Sequence, residues 1–218
     1  MPAIAKIPAR RKSVAPRGRP KLVHQFLIVL SGTDPLVWRR IQVPETYSFW
    51  DLHVAIQDAM GWLDSHLHEF RLLDADEKRM VSIGIPTDDD PDDRPVVPGW
   101  EVSVSSYFAS RPWHALPTLY AYDFGDDWEH VLVHEGMVSV EASVNYPRCL
   151  AGARKCPPED CGGVRGYVEF LEVIANPKHA EHASMMQWVG GNYDPDAFDP
   201  KRVAFDDPRK RWKIAFQQ

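Results

Sequence analysis

Apolar and polar positions change period several times along the chain, and each change predicts an element. Residues 23–30 (Val-His-Gln-Phe-Leu-Ile-Val-Leu) are almost continuously apolar, the pattern of a central strand. Ser31-Gly32-Thr33-Asp34-Pro35 is a run of turn formers. Residues 36–43 alternate, which predicts an antiparallel partner strand with Arg39 and Arg40 on opposite faces, at least one meeting solvent or an acid. From Ser48 the period lengthens to that of a helix. Ser48 and Asp51 form a capping-box pair, Phe49, Leu52, Ile56, Ala59 and Met60 make one apolar stripe, and Gly61 supplies the stop.

Residues 66–72 (His-Leu-His-Glu-Phe-Arg-Leu) read as a strand that sets His66 and His68 side by side on one face. Residues 74–99 are acidic and Pro-rich and read as a solvated loop; their acids lack EF-hand spacing. Residues 101–108 read as a further strand, and residues 113–117 lead into the densest stretch of the chain. That stretch is Tyr120-Ala121-Tyr122-Asp123-Phe124-Gly125-Asp126-Asp127-Trp128-Glu129-His130. Alternation on both sides predicts a β-hairpin with a tight turn over 124–127 and Gly125 at positive φ. Residues 137–144 alternate as a last strand. Residues 149–163, with Cys149, Cys156 and Cys161, read as a Pro/Gly loop. Tyr167, Phe170, Leu171 and Ile174 predict a helix stopped at Asn176-Pro177, and residues 179–189 a second one with Ala183, Met186 and Val189 inward. Residues 200–216 form short helix or extended chain over the core. The expected fold is therefore α+β: a single domain over 22–218, with a mainly antiparallel sheet, a helix after the first hairpin and a C-terminal helical pair packed on it.

Charge changes this picture at the N-terminus. Residues 1–21 hold Lys6, Arg10, Arg11, Lys12, Arg17, Arg19 and Lys21 and no acid, a charge of +7; the chain as a whole carries −6, so the remainder carries −13. With four Pro and little apolar content, this segment reads as a disordered basic arm. Arg10, Arg11, Lys12, Arg17, Arg19 and Lys21 are its nucleic-acid-binding candidates, because clustered cations hold phosphates through charge alone. No apolar run approaches the ~20 residues of a membrane span, and the N-terminus lacks the apolar stretch of a secretory signal. Three Cys form no disulfide framework and predict a reducing, cytoplasmic compartment.

The hairpin carries the candidate chemistry. It delivers Asp123, Asp126, Asp127, Glu129 and His130 to one small region, and His66 with His68 forms a chelating pair if its strand lies nearby. His66, His68, His130 and Asp127 are thus candidate ligands of a divalent metal. Cys149, Cys156 and Cys161 offer a separate zinc loop, which needs a fourth ligand from elsewhere; the alternative is a set of reduced thiols.

Several phrases recur together. They are Val37-Trp38-Arg39-Arg40, Ala59-Met60-Gly61-Trp62 with His66-Leu67-His68-Glu69-Phe70, the 122–130 hairpin, and Pro158-Glu159-Asp160-Cys161-Gly162-Gly163 with Gly166-Tyr167. As a set they resemble the plasmid pRiA4b ORF-3-like family from about residue 22 to the C-terminus. The resemblance implies a single α+β domain and a link to plasmids and mobile elements, but no established activity. Some members are labelled resolvases; a serine recombinase needs a nucleophilic Ser framed by Arg residues, and the Ser residues here read as parts of turns and strand ends, so that activity is not carried over.

Three functions stay open. One is a non-enzymatic binding or accessory module that touches nucleic acid through the arm. Another is a metal-dependent hydrolase, in which a carboxylate of the cluster acts as base on metal-bound water. The third makes the hairpin motif a folding device, with Trp128 in the core and His130 satisfying a buried partner.

Overall fold

The structure, a computed structural model, describes residues 20–73, 80–87, 95–109 and 118–217. The basic arm up to Arg19, with Arg10, Arg11, Lys12 and Arg17, lies outside the described residues, as do the Asp-rich stretch 88–94 and the lead-in 113–117. Among the described residues one eight-stranded sheet runs in the order β5-β4-β3-β6-β7-β1-β2-β8. Its strands are β1 (Leu22–Leu30), β2 (Trp38–Pro44), β3 (His68–Leu73), β4 (Met80–Gly84), β5 (Val96–Pro98), β6 (Thr118–Tyr122), β7 (Trp128–Ser139) and β8 (Arg148–Ala153). All pairings are antiparallel except that of β4 with β5. The apolar run of β1 has the predicted cause: it is flanked by β2 on one side and β7 on the other.

The helix α1 (Phe49–Met60) starts at Ser48, whose Oγ accepts from Asp51 N while Asp51 Oδ2 accepts from Ser48 N at 2.8 Å. It ends on Gly61 at φ 95°, a left-handed turn that glycine adopts without strain. The predicted stripe is buried in the main core with Phe26, Phe70 and Tyr120. The opposite face is buried too. There Trp50 and Val54 meet Trp100 and Trp212, the latter on α5 (Pro208–Phe216). Between sheet and C-terminal cover, α1 has no solvent face, and its polar His53 and Gln57 are held inside by hydrogen bonds to the Tyr120 hydroxyl. The helices α3 (Gly163–Ala175) and α4 (His182–Trp188) form the predicted pair. Tyr167 and Phe170 of α3 enter the core; α4 buries no residue fully and leans on the core through Met185, with Val189 just beyond it, while Ala183 is exposed.

Five local expectations change. Residues 104–108 form a short helix, α2 (Val104–Phe108), because Val104 and Phe108, one turn apart, both reach the core. Residues 80–84 and 96–98 are strands, not loop. The apolar 137–139 stretch continues β7 past an irregularity opposite Gln25 and Phe26 and is no separate strand. Cys149 lies in an edge strand, β8, paired with β2. Finally, β3 begins only at His68, after a turn at Asp64 with φ 61°, so His66 is not on a strand and shares no strand face with His68.

Candidate functional site

The tip joining β6 to β7 is organised by Asp123. Positive φ falls on Asp123 (55°) and Asp127 (54°), not on Gly125, since short acidic side chains stabilise such turns by bonding to the following backbone. Asp123 Oδ1 accepts from Gly125 N at 3.0 Å and Asp126 N at 3.3 Å, and Asp127 N donates to Asp123 O at 2.7 Å. The Asp123 backbone N donates to Leu67 O at 2.9 Å, which fastens the tip to the loop that carries His66. The other carboxylate oxygen, Oδ2, faces His66.

A third segment docks on this tip. Gly162 N donates to Asp126 Oδ2 at 3.0 Å. Gly163, at φ 67°, passes so close to the hairpin that a Cβ would lie 2.3 Å from Asp126 O. Only glycine fits there on both counts. Glu159 is fixed just upstream: its Oε1 accepts from Leu63 N at 2.7 Å, and the Tyr122 hydroxyl donates to it at 3.1 Å. Burial pushes the Glu159 carboxyl above its ordinary range. Burial likewise raises the Tyr122 phenol, with the Glu159 charge adding to it, so the phenol stays protonated and donates.

These contacts converge on His66. Its Nε2 lies 3.1 Å from Asp160 Oδ1, 3.5 Å from Asp123 Oδ2 and 3.9 Å from Glu159 Oε2. That nitrogen is buried, yet among the described residues it makes no hydrogen bond of acceptable geometry. One atom each of His66, Asp123 and Asp160 falls within 4.8 Å of the other two. A divalent ion with bonds of about 2.1 Å closes such a span by small side-chain rotations, and a nitrogen with carboxylate oxygens suits zinc or manganese. Asp123 is held inside while the Asp160 side chain is 73% exposed, so the cluster opens to solvent on one side. Two apolar side chains stand exposed in the flanking loops, Leu63 beside the Glu159 anchor and Phe124 next to Asp123.

The other predicted residues lie elsewhere. His68 is fully buried against His53. His130 points into the core beside Tyr120 O, where burial lowers its pKa to about 3. Asp126 serves Gly162, Asp127 is exposed at the tip, and Glu129 takes its place in β7 with its carbonyl accepting from Ser31 N. Among the described residues no ligand group joins these side chains, or any cysteine, to the His66 cluster or to one another in threes. Burial raises all three thiols, with Cys161 pushed up to about 12, so they are protonated rather than thiolate.

Residues 22–202, which include the whole cluster, match the family model for plasmid pRiA4b ORF-3-like proteins. The chain belongs to the plasmid pRiA4b ORF-3-like family. Among its relatives, an uncharacterized protein (y4hQ) of Sinorhizobium fredii is 38% identical over 193 residues, covering 87% of this chain and 94% of its own length. Among solved structures, the crystal structure of a protein of unknown function from Methanosarcina mazei Go1 is similar at 40% identity. It has a TM-score of 0.77, with 85% of this chain and 99% of that one covered. Both cover the α+β body. For this pRiA4b ORF-3-like chain, sequence reasoning missed Glu159 and Asp160 as site residues. Both stand in the Pro158-Glu159-Asp160-Cys161-Gly162-Gly163 phrase, whose two glycines mark a close backbone approach, and that was the available signal.

Proposed function

We propose that this protein is a divalent-metal-binding module whose ligands are His66, Asp123 and Asp160, with Glu159 beside them. One observation carries the reading: the buried Nε2 of His66 is aimed at three carboxylates and hydrogen-bonds to none among the described residues. A cation between them converts that arrangement from a cost into a bond set. The exposed Asp160 side leaves a coordination position for an outside oxygen ligand. If water fills it, Glu159, kept basic by its burial, is placed to take its proton, and this is the form in which the hydrolase reading survives.

The test is metal content of the untagged, purified full-length chain, with His66→Ala, Asp160→Asn and Cys156→Ala variants. About one equivalent of metal, lost in His66→Ala and Asp160→Asn and kept in Cys156→Ala, is the expected result. Metal lost only in Cys156→Ala assigns it to the cysteines. No metal in the parent chain ends the reading.

A second reading, a nucleic-acid contact through the basic arm, rests on the +7 charge of residues 1–21 against −13 in the rest of the chain. It fits the plasmid setting that the family name suggests. Deletion of residues 1–21 should abolish DNA binding at low salt; an intact chain that binds no DNA under those conditions refutes it.

A further inference from the structure

Beside the His66 cluster lies a groove of about 460 Å³ between α3, α4 and the loop that carries Asp160. Its size is that of a ligand site. The floor is apolar: Phe170 and Val173 of α3 face Met185 and Trp188 of α4. Trp188 meets Phe170 edge-on with ring centroids 5.9 Å apart and still exposes 48% of its surface. The rim is acidic, formed by Asp160, Glu169 and Glu181. Asp160 faces His66, and Arg165, one turn before Glu169, pairs with it at 3.0 Å; that pair is 91% and 61% exposed, too solvated to neutralise the rim.

We infer that this groove docks a basic peptide segment, seating an apolar or aromatic side chain against Phe170 and Trp188 while flanking Lys or Arg side chains meet Glu169 and Glu181. Charge complementarity selects the occupant. An acidic or neutral apolar partner gains the floor but meets the solvated carboxylates of Glu169 and Glu181. A cationic one gains both, and an Arg has the indole of Trp188 as a further partner. The architecture suits exchange of a ligand, since α4 buries no residue fully and can adjust over the groove. The groove is also continuous with the proposed metal centre, because Asp160 belongs to both. Peptide docking itself does not rest on the metal reading.

The test uses the full-length chain and fluorescein-labelled peptides, one alternating Arg and Leu and one alternating Glu and Leu, read by fluorescence anisotropy. The Arg-Leu peptide should bind and the Glu-Leu peptide should not, and binding should weaken between about 50 mM and about 300 mM salt. Trp188→Ala and Glu181→Lys should each weaken binding by about tenfold or more, and Glu181→Lys should do so without changing the melting temperature, as its side chain is exposed. His66→Ala should remove the metal and leave peptide affinity within about twofold, which separates this inference from the metal reading. Equal binding of both peptides, or no binding of either, overturns the inference. So does affinity unchanged in Trp188→Ala and Glu181→Lys, or loss of binding in His66→Ala. A dimer of the parent chain that Trp188→Ala dissolves assigns the groove to a second copy instead and likewise overturns it.

Discussion

The ring of His68 lies flat against that of His53, with centroids 3.4 Å apart and planes 7° from parallel. The two histidines are not equivalent. His53 is tied at both nitrogens, to the Tyr120 hydroxyl at 2.8 Å and to Asp64 at 2.7 Å. His68 has no hydrogen bond at either nitrogen among the described residues, and burial holds its pKa well below the ordinary value. It acts as a flat apolar filler. Its neighbour two residues back, His66, sits among carboxylates.

The two members of His-x-His should therefore part company on mutation. His68→Leu keeps the volume and removes a buried group without partners, so unfolding free energy should stay within about 1 kcal/mol of the parent and metal content should not change. His66→Ala should abolish metal uptake with little effect on the metal-free fold. Urea titration beside elemental analysis reads both. Metal loss in His68→Leu would contradict the assignment.

Stability should fall on mild acidification. Burial lowers His130 to about 3 and His24 to about 4, and it lowers His134 to about 4 as well. His24 and His134 also share a hydrogen bond of 3.0 Å, which requires one of the two nitrogens to lack a proton. A histidine with a depressed folded value binds its proton more readily when unfolded. Its stabilising contribution is thus complete above the unfolded value near 6.5 and is lost as pH falls toward 3–4, at about 1.4 kcal/mol per unit of depression for a fully buried ring. Melting temperatures should be flat from about pH 7 to 8 and should drop steadily from about pH 6 to 4. A chain equally stable at both ends of that range would show these rings to be hydrated.

Two adjacent arginines give a second contrast. Arg39, 1% exposed, donates to the carbonyls of Trp38, Ala59 and Ala153 at 2.8 Å and stacks on Phe198. Arg40 forks onto Glu135 from a half-exposed position. Arg39→Ala leaves three carbonyls short of a donor, that of Ala59 buried and the other two partly buried, and opens a cavity; the expected loss is about 3–5 kcal/mol. Arg40→Ala should cost about 1 kcal/mol or less. Chemical denaturation of both variants measures the difference.

The sequence placed these arginines on opposite faces but did not say which was buried, since parity is local and burial depends on what covers a strand. Here β8 and the 198–202 segment close over Arg39, more than a hundred residues away in the chain. The capped helix α1, by contrast, was legible from Ser48 to Gly61 because its cap, stripe and stop are all local. His68 stands on its expected strand, but strand parity does not reach back to His66, which follows closely on the turn at Asp64. The cluster itself draws on residues 66, 123 and 160, and no periodicity links such separations. Only the paired glycines at 162 and 163 hinted that a third segment approaches the hairpin.

That hint leads to the sharpest local test. Gly163 touches Asp126 O through a space that no side chain can enter, and its φ of 67° strains any other residue. Gly163→Ala must push the start of α3 off the hairpin, and Asp160, three residues upstream, moves with it. The expected result is a loss of about 1–3 kcal/mol in stability and at least about tenfold weaker metal binding, because the third ligand leaves the first two. Gly125 is the control. It sits in the most conspicuous turn of the chain, yet its φ is not positive, and an added Cβ would meet one atom, Asp123 Oδ1, at 3.2 Å. Gly125→Ala should cost less than about 1 kcal/mol and retain the metal. If Gly125→Ala proved the more damaging of the two, the hairpin turn rather than the docked α3 segment would be what assembles the site.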